Sequence, residues 1–419
     1  MRLKGGALMY CIVVILLSSA VLLMIITGYA IQRNNLESLI QLSRNERNAT
    51  SAAELYLTGG LSLKAEDSIT VDLFADEASF VDLALSRWGS LNILSSNGRG
   101  NGRECQYYFL SGFMPQDADS IGLYLADKGR YLSISGNTKL GGVCFLPAAT
   151  AIPASIEGQP CQNGALTTAM KFPSKMNLPL LDNDISMFGE QYLQGDFPPG
   201  DSVMFLNSTY DGYLSRSFAM PTIIGLASTN LVLSGSRIQG RVVLISSSKI
   251  IVMADSEMKD VILVAPEIEV QSGFSGNLQA FASRSIKIEN DCIFKLPSVL
   301  AVLQMGNFHN TADSLQILIG ANCEVSGSIF IDTDGLTSYL RVGAGSTIMG
   351  QAYCPGPVEL LGSIEGSIFC NSFFLRTNRS RYDNHLLNNS IDFNKLSLNF
   401  ACVDLFGTRG HKTIIKCLD

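Results

Sequence analysis

Apolar doublets recur along the middle of this chain at a step close to 18 residues, and few folds accept such a pattern. Leu231 and Leu233 are followed 19 residues on by Ile250 and Val252, then at steps of 18 by Ile268 with Val270 and Ile286 with Ile288. Leu340 and Val342 match Val358 and Leu360, again 18 apart. A second motif accompanies them: an apolar residue, any residue, Gly, any residue, then a small or apolar one. It occurs as Leu140 to Cys144, Ile238 to Val242, Val325 to Ile329, Ile348 to Ala352 and Ile364 to Ile368. Alternation within each doublet gives a strand with one apolar side. A repeat too short to bury that side alone must stack on its neighbours. The pattern predicts a parallel β-solenoid (a β-helix) over residues 204–375, with about three short faces per turn and Gly at the bends. An ordinary β-sandwich with fortuitous spacing is the alternative. Segment 289–316 breaks the step and marks an insertion or boundary.

Upstream, residues 61–170 read as a β-rich module. Ser68–Phe74 alternates, Tyr107–Leu110 is apolar and aromatic, and Ile121–Leu125 alternates again. Asn97-Gly98 and Asn101-Gly102 are turn dipeptides, and the lone Trp, Trp88, reads as a core anchor. Residues 171–203 hold Pro173, Pro179, Pro198 and Pro199 around a short helical stretch, Asp184–Tyr192, and read as a connector. Asp182 and Asp184 fit the start of that helix. Residues 376–419 form a C-terminal segment.

The amino terminus constrains location. No charged residue lies between Gly5 and Gln32. A bilayer core of about 30 Å needs roughly 20 apolar helical residues, and a cleaved secretory signal has a shorter apolar core. Residues 1–6 are then a short cytoplasmic flank, 7–31 a transmembrane helix and 32–60 a helical stalk that stops at Gly59-Gly60. Arg2 and Lys4 balance Arg33, Arg44 and Arg47. The shortness of the N-terminal flank therefore places it inside, with the bulk of the chain extracytoplasmic and periplasm-facing.

Charged residues make up 16% of the chain, below the ~25% of ordinary domains, with 30 Lys and Arg against 37 Asp and Glu. That balance argues against nucleic acid as a partner. The search for catalytic and metal-binding groups yields little. The ten Cys lack any Cys-x-x-Cys pair. Cys292, Cys323, Cys354 and Cys370 are spaced as buried positions on nearby rungs, and a disulfide among them, or between Cys402 and Cys417, is the alternative. His309, His385 and His411 stand in polar surroundings without a catalytic motif. Asp332 and Asp334 before Gly335 hint at calcium but lack the later bidentate Glu, which favours a turn. Asn48, Asn207, Asn378 and Asn388 match the glycosylation pattern. No catalytic, cofactor-binding or metal residue is assigned.

Three resemblances add to this reading. Lys4-Gly5-Gly6 followed by Ala7 and an apolar helix resembles a prepilin processing site, with cleavage after Gly6. Most pilins carry Glu at the fifth mature position, which here is Cys11; tip-type minor pseudopilins lack that Glu. The Ile-x-Gly-x-Val rungs over about 230–370 resemble those of bactofilins, polymer-forming β-helices. Over nearly the whole chain the sequence resembles a family of membrane-anchored proteins from Bacteroidetes without established activity. The residues carrying this are the anchor, Trp88-Gly89, Leu132–Gly142, Phe145–Pro147, Ile156–Gly158, Lys259–Pro266, Leu278–Ala282, Leu296–Ser298 and Ile391–Leu396. Together these imply a non-enzymatic, membrane-anchored envelope protein that assembles with itself or others through solenoid edges, with a minor pseudopilin as the sharper form. A carbohydrate-binding or carbohydrate-cleaving solenoid is the rival, which predicts a groove with at least two carboxylates within about 10 Å and nearby aromatic side chains.

Overall fold

The computed structural model describes residues 5–418 apart from 65, 75–78, 101, 116–120, 163–168, 199, 305–313, 334, 336, 398–399 and 408–410. The chain forms two compact units, residues 1–56, 60–84 and 95–107 in one and 57–59, 85–94 and 108–419 in the other.

The first unit is dominated by helix α1, Gly5–Leu57. Every described side chain from Gly6 to Glu37 is exposed, and its most apolar 18-residue window has a mean hydropathy of 2.8. Ser18, Ser19 and Thr27 return their hydroxyls to carbonyls three or four residues back, as a helix in hydrocarbon requires. The following half is not a solvated stalk. Asn45, Asn48, Ala49, Ala52, Ala53 and Tyr56 are buried, and the helix meets parts of strands β2 (Ser79–Trp88), β3 (Leu91–Gly100) and β4 (Arg103–Phe113), while β1 (Ser68–Val71) pairs antiparallel with β2. Asn45 donates to the Arg103 carbonyl at 2.9 Å, Asn48 to Ser79 Oγ at 3.1 Å, and Ser96 Oγ to the Ala49 carbonyl at 2.8 Å. Asn97-Gly98 is not a turn but lies inside β3, where a Cβ on Gly98 would overlap the Asn45 carbonyl oxygen. Gly is needed for close approach of helix and strand. The expected strand Ser68–Phe74 ends at Val71, and Asn101 of the second dipeptide lies outside the described residues.

The second unit is a parallel coil with three faces. On face A, Leu226 pairs with Ile245, Ile245 with Val264, and the series climbs through Phe281, Ala301, Phe330 and Tyr353 to Phe369. Face B stacks Leu231, Ile250, Ile268, Ile286, Ile317, Leu340 and Val358. These are the doublets of the 18-residue step, and the interruption at 289–316 appears as the 31-residue offset between Ile286 and Ile317. Face C carries the glycine motif.

Residues 61–170, expected as one module, divide. Strands at Ile121–Leu125, Lys139–Gly141, Val143–Leu146 and Met170–Pro173 belong to the coil. The last strands of the climb hand over to them: Phe369 pairs with Tyr124, Ile364 with Ile391, and Ile391 with Leu140. One level of the coil is thus assembled from Ser390–Asp392 on face C and Ile121–Leu125 on face A, far apart in sequence. The coil also lies, in chain order, between two paired strands, since β4 runs antiparallel to Lys412–Leu418 with Phe109 opposite Cys417. The connector contains helix α2, Asp184–Gln194, close to the expected span, but its ends are coil strands, Met170–Pro173 and Ser202–Phe205.

Two apolar layers hold the coil. Inside are Leu123, Cys144, Leu244, Leu263, Leu300, Ile329, Ile368 and the face B and C residues. The outward residues of face A form the second layer, covered by Trp88, Leu91, Ile93, Phe188, Tyr192, Val403 and Leu405. Face A is therefore buried on both sides, so its strands read as unbroken apolar runs such as Val261–Ala265 instead of alternating.

The motif glycines are corners from face C to face A. Gly327, Gly350 and Gly366 stack in register at φ of 149°, 135° and 140°. A Cβ on Gly350 would overlap the Gly327 carbonyl oxygen. Gly350→Ala should lower unfolding free energy by about 2–3 kcal/mol, whereas Gly129→Ala, at φ of 73° with open space around it, should cost distinctly less. Thermal unfolding of both variants checks this.

Candidate functional site

Gly6 and Ala7, the expected processing residues, lie exposed in the first turns of α1, with Cys11 exposed one turn on. The coil offers two further features, its ends and a groove.

The two ends differ. At the upper end, Lys171 pairs with Cys144, an inward position, and so puts an amine where lower rungs put Leu or Cys. Pro173 ends the same strand, and Pro153 ends the edge strand Ala151–Pro153 of the rung below. Inward charge and Pro are devices that stop a strand edge from accepting another strand. At the lower end, Met204 pairs with inward Gly225, and Leu206, Tyr210 and Leu214 pack against the core above. Phe205 is 81% exposed and Val203 47%. The described residues there include no inward charge, so this edge is open.

The groove runs along face C beside the strand Lys412–Leu418. One lobe, about 200 Å³, is lined by Arg216, Phe218, Gly240, Asp260, Lys416 and Leu418 among others. The other, about 530 Å³, is lined by Arg237, Glu257, Asn277, Lys295 and Leu296 among others, and both share Gln239, Lys259 and Lys416. Register builds it: Ser215, Gln239, Lys259 and Asn277 stack on successive rungs. Gln239 donates to Tyr213 Oη at 3.2 Å and Ser215 Oγ at 3.0 Å.

At its centre, Asp260 takes the corner position that glycine holds on the rung below, at φ of 64°. Left-handed backbone costs a non-glycine residue about 1 kcal/mol. The carboxylate is 7% exposed and held by Asn277 Nδ2 at 2.7 Å and by the Lys416 ammonium, while the Asp260 carbonyl accepts Trp88 Nε1–H at 3.2 Å. Trp88 is thus a core anchor, as expected, and packs edge-on against Phe218 at 5.3 Å. Arg237 pairs with Glu257 at 3.0 Å, and Arg216 Nε donates to the Pro221 carbonyl at 2.7 Å. Both groove carboxylates are therefore engaged by cations, an arrangement unlike a free acid and base pair. Lys259 and Lys295 are exposed, with no ion-pair partner among the described residues. An acidic chain has here a local excess of positive charge, which net charge concealed.

The cysteines are thiols. Cys354 faces Cys370, while Cys292 and Cys323 precede the paired residues Ile293 and Glu324. All four are buried; burial pushes the Cys354 thiol up to about 11, Cys144 to about 12 and Cys370 well above its ordinary value, which makes these three packing groups of low reactivity, whereas hydrogen bonding to Cys292 and Ser346 lowers Cys323. His309 and Asp334 lie outside the described residues; His385 and His411 do not meet, and no group of three metal-ligating side chains occurs among the described residues. Asn48, matching the glycosylation pattern, is 4% exposed on α1 and inaccessible in the folded chain. Sequence reasoning missed an aromatic ladder on the outer side of face A: Tyr353, Phe369, Tyr124, Phe145 and Phe172, with ring centroids 5.4–6.4 Å apart. Its signal was present as apolar-aromatic-apolar triplets, Ala352–Cys354, Ile368–Cys370, Leu123–Leu125 and Cys144–Leu146.

No protein-family model and no curated protein matches the chain. The comparison with solved structures gives the competence-associated pilin ComZ from Thermus thermophilus, aligned over 86% of this chain and 88% of that one at 11% identity. The TM-score is 0.19, a level at which the likeness supports no inference.

Removing the Lys416 ammonium leaves the Asp260 carboxylate buried with one partner. Lys416→Met should cost about 1–3 kcal/mol. Adding Asp260→Gly, which restores the corner glycine, should recover most of that loss. Chemical denaturation of the single and double variants tests the coupling.

Proposed function

We propose that this chain is a non-enzymatic, membrane-anchored assembly subunit of the cell envelope, of the tip-type minor pseudopilin kind, with its solenoid outside the membrane. The observation that carries the reading is the divided helix α1. Its exposed apolar half suits lipid or neighbouring helices, while its second half is packed under strands of its own unit. The placement of the coil between paired strands β4 and Lys412–Leu418 supports the view of a pilin-like body carrying a large insertion. Cys11 in place of the fifth-position Glu removes the carboxylate that, in shaft-forming pilins, pairs with a neighbour's amino terminus. That favours a terminal position in an assembly over a repeating one.

Assembly has one preferred route in the coil. The lower rung leaves its edge unpaired and apolar, whereas the upper rung is blocked by Lys171. Strand addition at the lower end is therefore the contact proposed.

Peptidase processing would give a mature amino terminus at Ala7, absent in a Gly6→Arg variant; N-terminal sequencing from membranes reads this. An intact Met1 in the membrane-borne protein contradicts the pseudopilin reading. Met204→Lys, which copies the blocking charge onto the open rung, should abolish crosslinked assemblies while leaving the unfolding midpoint within a few degrees. Undiminished crosslinking means that the lower edge is not the contact.

A further inference from the structure

We propose that the groove on face C is a binding site for an acidic glycan chain, held by Lys259 and Lys295 and positioned by the polar column beside them. The inference rests on the groove alone and is independent of the pseudopilin reading.

The first support is charge. Arg216, Arg237, Lys259, Lys295 and Lys416 line the two lobes against Glu257 and Asp260. Each carboxylate is already matched, Glu257 by Arg237 and Asp260 by Lys416. Lys259 and Lys295 remain as exposed ammonium groups in a concave surface, where a field of one sign is focused and collects counter-ions. The chain as a whole has a formal net charge of -7, so this concentration runs against its composition.

The second support is geometry. Lys259 is in register with Asn277, and Lys295 follows on the next rung. Two rungs separate the lysines by about 10 Å along the coil. Between them lies Asn277, buried and held by Asp260, and below them Gln239 and Ser215 present an amide and a hydroxyl suited to sugar hydroxyls, with uronate carboxylates reaching the two ammonium groups. The only aromatic side chain lining the two lobes among the described residues is Phe218, 3% exposed, so there is no platform on which unpaired bases could stack. That favours a glycan over single-stranded nucleic acid.

The third support is the strained corner. Asp260 occupies a glycine position and uses its carboxylate to fix Asn277 and Lys416 at the junction of the lobes. Outliers of this kind cluster at sites where position matters.

The test uses the detergent-solubilised full chain in affinity electrophoresis against polygalacturonate, neutral dextran and a double-stranded DNA fragment at matched ionic strength. Polygalacturonate should retard the protein, with retardation falling as salt rises, and dextran should not. The exposed double variant Lys259→Gln/Lys295→Gln should bind polygalacturonate about tenfold more weakly. Lys64→Gln/Lys128→Gln, equally exposed and outside the groove, should bind as the parent does. The proposal is overturned by absent retardation, by equal loss in both double variants, or by DNA binding as tight as polygalacturonate with the same lysine dependence. Unfolding curves coincident with the parent establish that the groove variant is folded.

Discussion

Each rung of a parallel coil leaves a row of backbone donors and acceptors unpaired until another rung covers it. In this chain the climb from residue 202 ends with Ser363–Arg376 and the strands that follow it, and among the described residues no later strand pairs with Ser363–Arg376 on face A. That level is supplied from upstream, by Ile121–Leu125, and the coil goes on through Val143–Leu146 to Met170–Pro173. Without this hand-over the coil would have an exposed apolar top and the early strands no sheet to join. With it, the upper end closes on edge strands that carry inward Lys171, Pro173 and, one rung below, Pro153, and the lower edge remains open.

The hand-over is reinforced by side chains on both sides of face A. Inside, Ile368, Leu123 and Cys144 continue one column. Outside, Phe369, Tyr124 and Phe145 stack at 5.4–6.1 Å across the same junction, each pair adding roughly 0.5–1.5 kcal/mol beyond area burial. Burial of both sides also accounts for the shortage of charge. Faces B and C alternate apolar with polar residues, as in Ile286-Lys287-Ile288, but face A has no solvent side on which to carry charge.

The fold class was legible because its physics is periodic. The 18-residue step on face B and the corner glycines of face C report directly on stacking, and the uncharged amino-terminal run reports on lipid. What escaped was non-local. Leu140-Gly141-Gly142 shows the corner motif, yet nothing nearby says that its partner is Ile391, about 250 residues on. Asn97-Gly98 looked like a turn because the helix backbone that demands Gly98 lies more than 50 residues upstream. The groove was invisible for a related reason. Its cations come from separate rungs and from the C-terminal strand, while the sequence total is acidic. Asp260 could have been flagged, since it follows Lys259 where the rung below has Gln239-Gly240, but its partner Lys416 could not.

The central claim is that two distant segments form one continuous coil, and amide hydrogen exchange of the native protein tests it most directly. Amides of Leu123–Leu125 should exchange as slowly as those of Phe369 and Cys370, and the two sets should lose protection together as denaturant is raised. Rapid exchange at Leu123–Leu125, or loss of their protection while residues 368–370 stay protected, would contradict the account.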